Sequence, residues 1–99
     1  ARPLRIEYNG AFYHIVSRGI DRRNIFLEDK DRHAFLSYLS SAERQLEAVI
    51  HAYCLMSNHY HLIVETPEGN LSQIMQHINL GYAAYFNAVH NRVGPLMRT

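Results

Sequence analysis

The sequence predicts an α+β fold, with an antiparallel sheet and two helices on one face. Three observations predict it. Three stretches are rich in aromatic and β-branched residues, two carry apolar residues at helical spacing, and Gly, Asn and Pro punctuate the joints between them.

Ala11–Arg18 (AFYHIVSR) follows a turn at Asn9-Gly10 and reads as the first strand. Alternation puts Phe12, His14 and Val16 on one face, and Tyr13, Ile15 and Ser17 on the other. A helix is expected from Asp29 to about Glu47, with Asp29 as its cap and Asp31 at the positive end of its dipole. Phe35, Leu36, Leu39, Ala42 and Leu46 form one apolar stripe, leaving Arg32, Ser40, Glu43 and Glu47 toward water. Ala48–Met56 (AVIHAYCLM) is apolar on both faces, which predicts a central strand. Ser57-Asn58 is a tight turn, and His59–Thr66 (HYHLIVET) completes a hairpin.

After the turn at Pro67–Asn70, a second helix is expected to run to about Asn91, with Asn70 and Gln73 in the positions of a capping box. Its apolar face is Leu71, Ile74, Met75, Ile78, Tyr82, Tyr85, Phe86 and Val89, and its polar face shows His77, Asn79, Asn87 and His90. With the tail VGPLMRT, the order is that of a ferredoxin-like split β-α-β-β-α-β chain whose last strand is missing or incomplete.

A chain of 99 residues fits one domain, and 47% hydrophobic against 19% charged residues excludes a disordered chain. The net charge of +1 is unevenly spread. Residues 1–27 carry Arg2, Arg5, Arg18, Arg22 and Arg23 against Glu7 and Asp21, whereas residues 28–68 hold seven acids against three bases. Residues 69–99 carry Arg92 and Arg98 and no acid, so both ends suit a polyanion better than the middle does. Ordinary scatter of surface charge explains the same pattern. A single cysteine, Cys54, excludes an internal disulfide and suits a reducing cytoplasm. No apolar run reaches membrane-spanning length, and the N-terminus lacks the apolar core of a secretory signal.

His59-Tyr60-His61 is the sharpest chemical signal. On a strand the two histidines share a face, where neutral imidazoles can hold one divalent ion; two half-buried or surface histidines are the plain alternative. Such an ion beside a phosphodiester polarises it, and a tyrosine is a suitable nucleophile. Tyr82 and Tyr85 are the candidates on the second helix, although their spacing favours the core. Arg18, Arg22 and Arg23 flank Gly19 in a basic loop suited to phosphate; Asn58, Arg92 and Arg98 complete the candidate DNA contacts. His14 and His51 read as packed or hydrogen-bonded residues rather than ligands.

Three segments carry a family resemblance: FYHIVSRG (Phe12–Gly19), HAYCLMSNHYHLIVETPEGNLS (His51–Ser72) and GYAAYFNAVHNRVGPL (Gly81–Leu96). Together they resemble the HUH-type single-tyrosine transposases, above all the REP-associated group. The resemblance implies a ferredoxin-like core and Mg2+ or Mn2+ held by His59 and His61. It also implies single-stranded hairpin DNA as the substrate, cleaved to a 5′-phosphotyrosine and a free 3′-hydroxyl, and in many relatives a homodimer. In the family the nucleophile lies on a further helix after the fourth strand, in a Tyr-x-x-x-Asn motif. Neither Tyr82 nor Tyr85 matches it, because Phe86 and Val89 stand four residues on. The expectation is therefore a single transposase core domain over residues 1–99, truncated before its tyrosine. A hairpin-binding module without catalytic activity is the alternative.

Overall fold

Alternation along the first strand decides which way the sheet faces, because Ile15 and Ser17 are buried while Phe12 and His14 are exposed. The computed structural model describes residues 6–99; Arg2 and Arg5, counted above in the basic N-terminal segment, lie outside the described residues. The elements are β1 (Ala11–Gly19), a 3₁₀ turn (Ile20–Arg22), α1 (Asp29–Leu46), β2 (Val49–Leu55), β3 (His59–Thr66), α2 (Leu71–Val89) and a short β4 (Met97–Arg98). The sheet order is β2-β3-β1-β4, with every neighbouring pair antiparallel. This is the split arrangement expected, with a fourth strand two residues long.

Both helices cover one face. Ile15, Tyr60, Leu62 and Val64 point into a core completed by Phe35 and Leu39 of α1 and by Ile74, Ile78, Tyr82 and Phe86 of α2. Phe35 anchors it, with its ring 4.6 Å from Tyr60 and 5.4 Å from Tyr82 between centroids. Such aromatic contacts contribute about 0.5–1.5 kcal/mol each beyond their buried area. No described helix covers the opposite face, where Phe12 is 62% exposed.

The order corrects one expectation. β2 is an edge strand, not a central one, and its residues 51–54 are exposed. A strand apolar on both faces is central only where both faces are covered. Here Ala52 and Cys54 pair with Ile63 and His61 on the open side, and a register shift at His51 bends the strand.

The helix starts differ too. Glu28, not Asp29, caps α1, in a reciprocal capping box with Asp31. Asp31 is fully buried. It accepts from the Leu27 amide (2.9 Å), the Tyr85 hydroxyl (3.0 Å) and His90 Nε2 (2.9 Å). Burial pushes its carboxyl up, but the His90, Leu27 and Tyr85 donors outweigh that and hold it below the usual range. On α2 the Asn70–Gln73 box does not form: the Asn70 side chain makes no cap hydrogen bond, and its Nδ2 donates to the Leu46 carbonyl (3.0 Å). Glu7 does the capping from 65 residues away, accepting from the Ser72 amide (2.8 Å) and hydroxyl (2.9 Å).

Gly19 ends β1 for a reason of space rather than flexibility. Its φ of −60° suits any residue, but a Cβ there would lie 2.1 Å from the Arg23 carbonyl oxygen. Gly19→Ala should therefore cost about 1–3 kcal/mol, as overpacking does, and displace the basic loop. Chemical denaturation measures it; an unchanged midpoint would show that the loop gives way freely.

Candidate metal and nucleic-acid site on the open face

Four segments converge at one end of the sheet. The Gly19 amide donates to the Asn58 carbonyl (2.9 Å), the Ile20 amide to the Leu96 carbonyl (3.0 Å), and the Ile25 amide to the Ser57 carbonyl (2.8 Å). The end of β1, the β2–β3 turn, the basic loop and β4 therefore share one corner.

The register then sets the side chains in rows. Arg18 lies directly across from His59 on β3 and from Arg98 on β4. The next row on the same face holds Val16, His61 and Cys54; the one after holds His14, Ile63 and Ala52. His59 and His61 project side by side from the open face, 5.1 Å apart between ring centroids, while Tyr60 between them is buried on the helical side.

Both rings are oriented by neighbours. His59 Nδ1 lies 2.8 Å from Asn58 Oδ1. An amide oxygen only accepts, so His59 carries its proton on Nδ1 and keeps a free lone pair on Nε2. His61 Nδ1 lies 3.0 Å from His14 Nε2, with the ring planes only 19° apart. Desolvation, then the neighbouring Arg18 and His61, push the His59 pKa below its usual range, which favours the neutral ring. His14, expected as a packed or hydrogen-bonded histidine, finds its partner in His61. A signal existed, since β1 lies beside β3 in a split β-α-β-β-α sheet and alternation then sets His14 on the face of His59 and His61.

Arg18, Arg22 and Arg98 line an open cavity of about 500 Å³ with Val16, Asp21 and Thr99. Among the described residues none of the three arginines has a carboxylate within 4.0 Å; the ion pairs are Arg32–Asp29, His51–Glu65 and His90–Asp31. Like charges directly across a ladder are unfavourable, so Arg18 and Arg98 make a site that an anion would relieve. Asp21 and Arg22 hold positive φ values of 56° and 58°, a left-handed conformation that bends the loop there. Arg23 is exposed on the same loop, and its Nε donates to the Ile20 carbonyl (3.3 Å).

Other candidates are turned elsewhere. Tyr82 is buried on the helical side, its hydroxyl donating to the Ile25 carbonyl; Tyr85 donates to Asp31. Burial pushes both phenols up, with Asp31 adding to it, so neither is poised as a nucleophile, and the sheet separates them from the histidines. Both therefore lie on the packed side of α2, as their helical spacing favoured. Arg92 braces its own loop, donating to Asn87 Oδ1 (3.0 Å) and to the carbonyls of Gly94 (3.1 Å) and Pro95 (2.7 Å). The polar face of α2 is likewise spent internally: His77 bonds Ser41, Asn79 bonds Tyr60 and Thr99, and His90 bonds Asp31.

Among the described residues one group brings three ligand-type atoms within 4.8 Å of one another: Glu28, Asp31 and His90. Hydrogen bonds already occupy both Asp31 oxygens, from Tyr85 and His90 on one and Leu27, Glu28 and His90 on the other. Its chemistry is that of a helix cap.

Comparisons with known proteins bear on the family and the fold. A family model described as "Transposase IS200 like" matches residues 7–96. A solved REP-associated tyrosine transposase bound to a REP hairpin has a similar fold, with a TM-score of 0.73 at 17% identity over 99% of this chain. The chain spans 57% of that protein's length. A protein assigned as a transposase from Deinococcus radiodurans R1 superposes with a TM-score of 0.65 at 14% identity, over 90% of this chain and 68% of that one. No curated protein matches the sequence. No described helix is long and apolar enough to cross a membrane. With a ferredoxin-like sheet, a histidine pair on its open face and a family match over residues 7–96, the chain belongs to the IS200-like transposase family.

Proposed function

We propose that the open face is a DNA-backbone site in which His59 and His61 hold a divalent ion beside a phosphate seated by Arg18 and Arg98. The reading rests on one observation, the row Arg98–Arg18–His59 with His61 adjacent. Residues 1–99 are then the core domain of a transposase that cuts and rejoins single-stranded hairpin DNA.

The donor set fits the ion. His59 Nε2 is free, and the tautomer of His61 that donates from Nδ1 to His14 frees its Nε2 as well. Two imidazoles without a carboxylate favour Mn2+ over Mg2+. When bound, the ion polarises the phosphodiester and offsets the negative charge that grows during attack. Asn58 serves this site by orienting His59, and Arg22 and Arg23 extend the cationic surface along the loop.

The nucleophile is a tyrosine supplied from outside residues 1–99. Its oxygen would bond the phosphorus as the 3′ oxygen leaves, storing the bond energy for rejoining. Tyr13 and Tyr53 stand opposite Val64 and Leu62, both buried on the helical side, and Tyr60 is buried there too. Tyr8 precedes the far end of β1, where Ala11 pairs with Thr66. Among the described residues no strand places a tyrosine on the open face, which also favours a second reading, a module that binds hairpin DNA without cutting it. Self-association belongs to the same proposal, since among the described residues only Arg18 and Gly19 of β1 pair with β4, leaving a bare strand edge.

The test is hairpin DNA with Mn2+. Residues 1–99 should bind it without forming an adduct, and no binding would overturn the reading. Adding a tyrosine-bearing segment separates the two versions: a covalent adduct supports the transposase, continued binding alone the module. Removing Arg18 or Arg98 should flatten the dependence of log K on log salt by about one unit per lost phosphate contact. Identical slopes would remove the arginine pair from the interface.

A further inference from the structure

The cationic corner ends abruptly, and what lies beyond it has a different chemistry. Rows on one face of a strand are spaced by two residues, about 6.6–6.8 Å. Past the Arg98–Arg18–His59 row come Val16, His61 and Cys54, then His14, Ile63 and Ala52, then Phe12 and Glu65. Positive charge gives way to flat rings and small apolar groups.

We infer that this floor reads unpaired nucleobases: the hollow edged by His14, Ala52, Cys54, His61 and Ile63 takes one base, and the Phe12 ring stacks the next. The inference rests on the DNA reading above and names where the bases of that strand go. The hollow measures about 210 Å³ and is mainly apolar. The nearly coplanar His14–His61 pair gives it a flat, hydrogen-bonding wall. Planar bases have apolar faces and polar edges, which is the combination such a wall and floor accept.

Phe12 is the second half of the argument. It sits on an inner strand, 62% exposed, where the fold draws no burial from it. Its ring is held against His51, with centroids 5.2 Å apart and planes at 26°. His51 is fixed in turn by Glu65 at 2.8 Å. An exposed aromatic ring braced by a second ring is a stacking platform already ordered before a ligand arrives. Charge favours nucleic acid as the occupant. Glu65 is the one acid that the described strands project from this face, it is paired with His51, and no carboxylate stands between Phe12 and the arginine row. Unpaired bases are required, because paired ones keep their faces stacked inside a duplex.

The experiment is fluorescence anisotropy with a DNA hairpin bearing an unpaired tail, and with the same hairpin whose tail is abasic. Phe12→Ala should weaken binding of the tailed hairpin by about 5- to 150-fold, the range for one lost base–aromatic stack. Phe12→Trp should retain it, and the salt slope should not change in either variant. Ala52→Leu, which fills the hollow from an exposed position on the edge strand, should also weaken binding while leaving Mn2+ affinity intact. With the abasic tail, Phe12→Ala should have no further effect. Three results would overturn the inference: equal affinity of parent and Phe12→Ala, equal affinity for normal and abasic tails, or a change in oligomeric state caused by Phe12→Ala. A parent protein that binds no hairpin at all refutes the DNA reading itself, and the base floor with it.

Discussion

Alanine at His59 or His61 should abolish tight Mn2+ binding while the protein remains folded. On the proposed reading each ring supplies a donor directly to the ion, so the loss should exceed the roughly 10- to 100-fold typical of outer-shell changes. His14→Phe, which keeps a flat ring but removes the hydrogen-bond acceptor for His61, should fall within that smaller range. The fold should tolerate all three changes. The rings project from the open face, and the residues between and after them, Tyr60 and Leu62, are the ones that fill the core. Calorimetric titration with Mn2+ and a thermal melt of each variant measure both halves of the expectation. The pH dependence follows from His59. Its pKa is pushed below the ordinary value of about 6.5, so protons compete for its lone pair only in acid. Affinity should be level through neutral pH and fall as the pH drops below that ordinary value. Undiminished affinity in both alanine variants would show that the ion binds elsewhere, with the Glu28, Asp31 and His90 cluster as the place to look.

Asp31→Ala should produce the largest loss of stability in the chain, about 3–5 kcal/mol, because it strands a buried hydrogen-bonded network. Four donors would be left without an acceptor: the Leu27 and Glu28 amides, the Tyr85 hydroxyl and His90 Nε2. A small domain has only about 5–15 kcal/mol in total, so the variant should be marginal at room temperature. Tyr85→Phe removes one donor and leaves the carboxylate otherwise satisfied, so about 1 kcal/mol is expected. The carboxyl titrates below its ordinary range in the folded protein. Its contribution is therefore complete above the unfolded pKa of about 4 and is lost as pH falls through the lower folded value. Urea denaturation of parent and Asp31→Ala across that acid range should show the two curves converging at low pH. A constant gap between them would mean that the network does not depend on the charge. Mn2+ affinity should be unaffected by the Asp31 change, which separates this cluster from the histidine pair.

The order of elements was legible because the signals are local. Period-two alternation in FYHIVS and HYHLIV and the helical stripe from Phe35 to Leu46 specify type and inward face without any knowledge of neighbours. The face shared by His59 and His61 follows from the same alternation. The family resemblance added an expectation that no local pattern carries, a nucleophilic tyrosine on a further helix.

Local patterning fixes which residues lie on which face of each element, since the backbone repeat alone settles that. The assembly of the fold settled which faces meet. It put β2 at the edge, brought His14 against His61 from 47 residues away, capped α2 with Glu7, and turned Asp31, Asn79 and His90 inward to bond one another's helices and strands. The reason is physical: a hydrogen bond or an ion pair between distant segments depends on strand order and register, and no local periodicity encodes either.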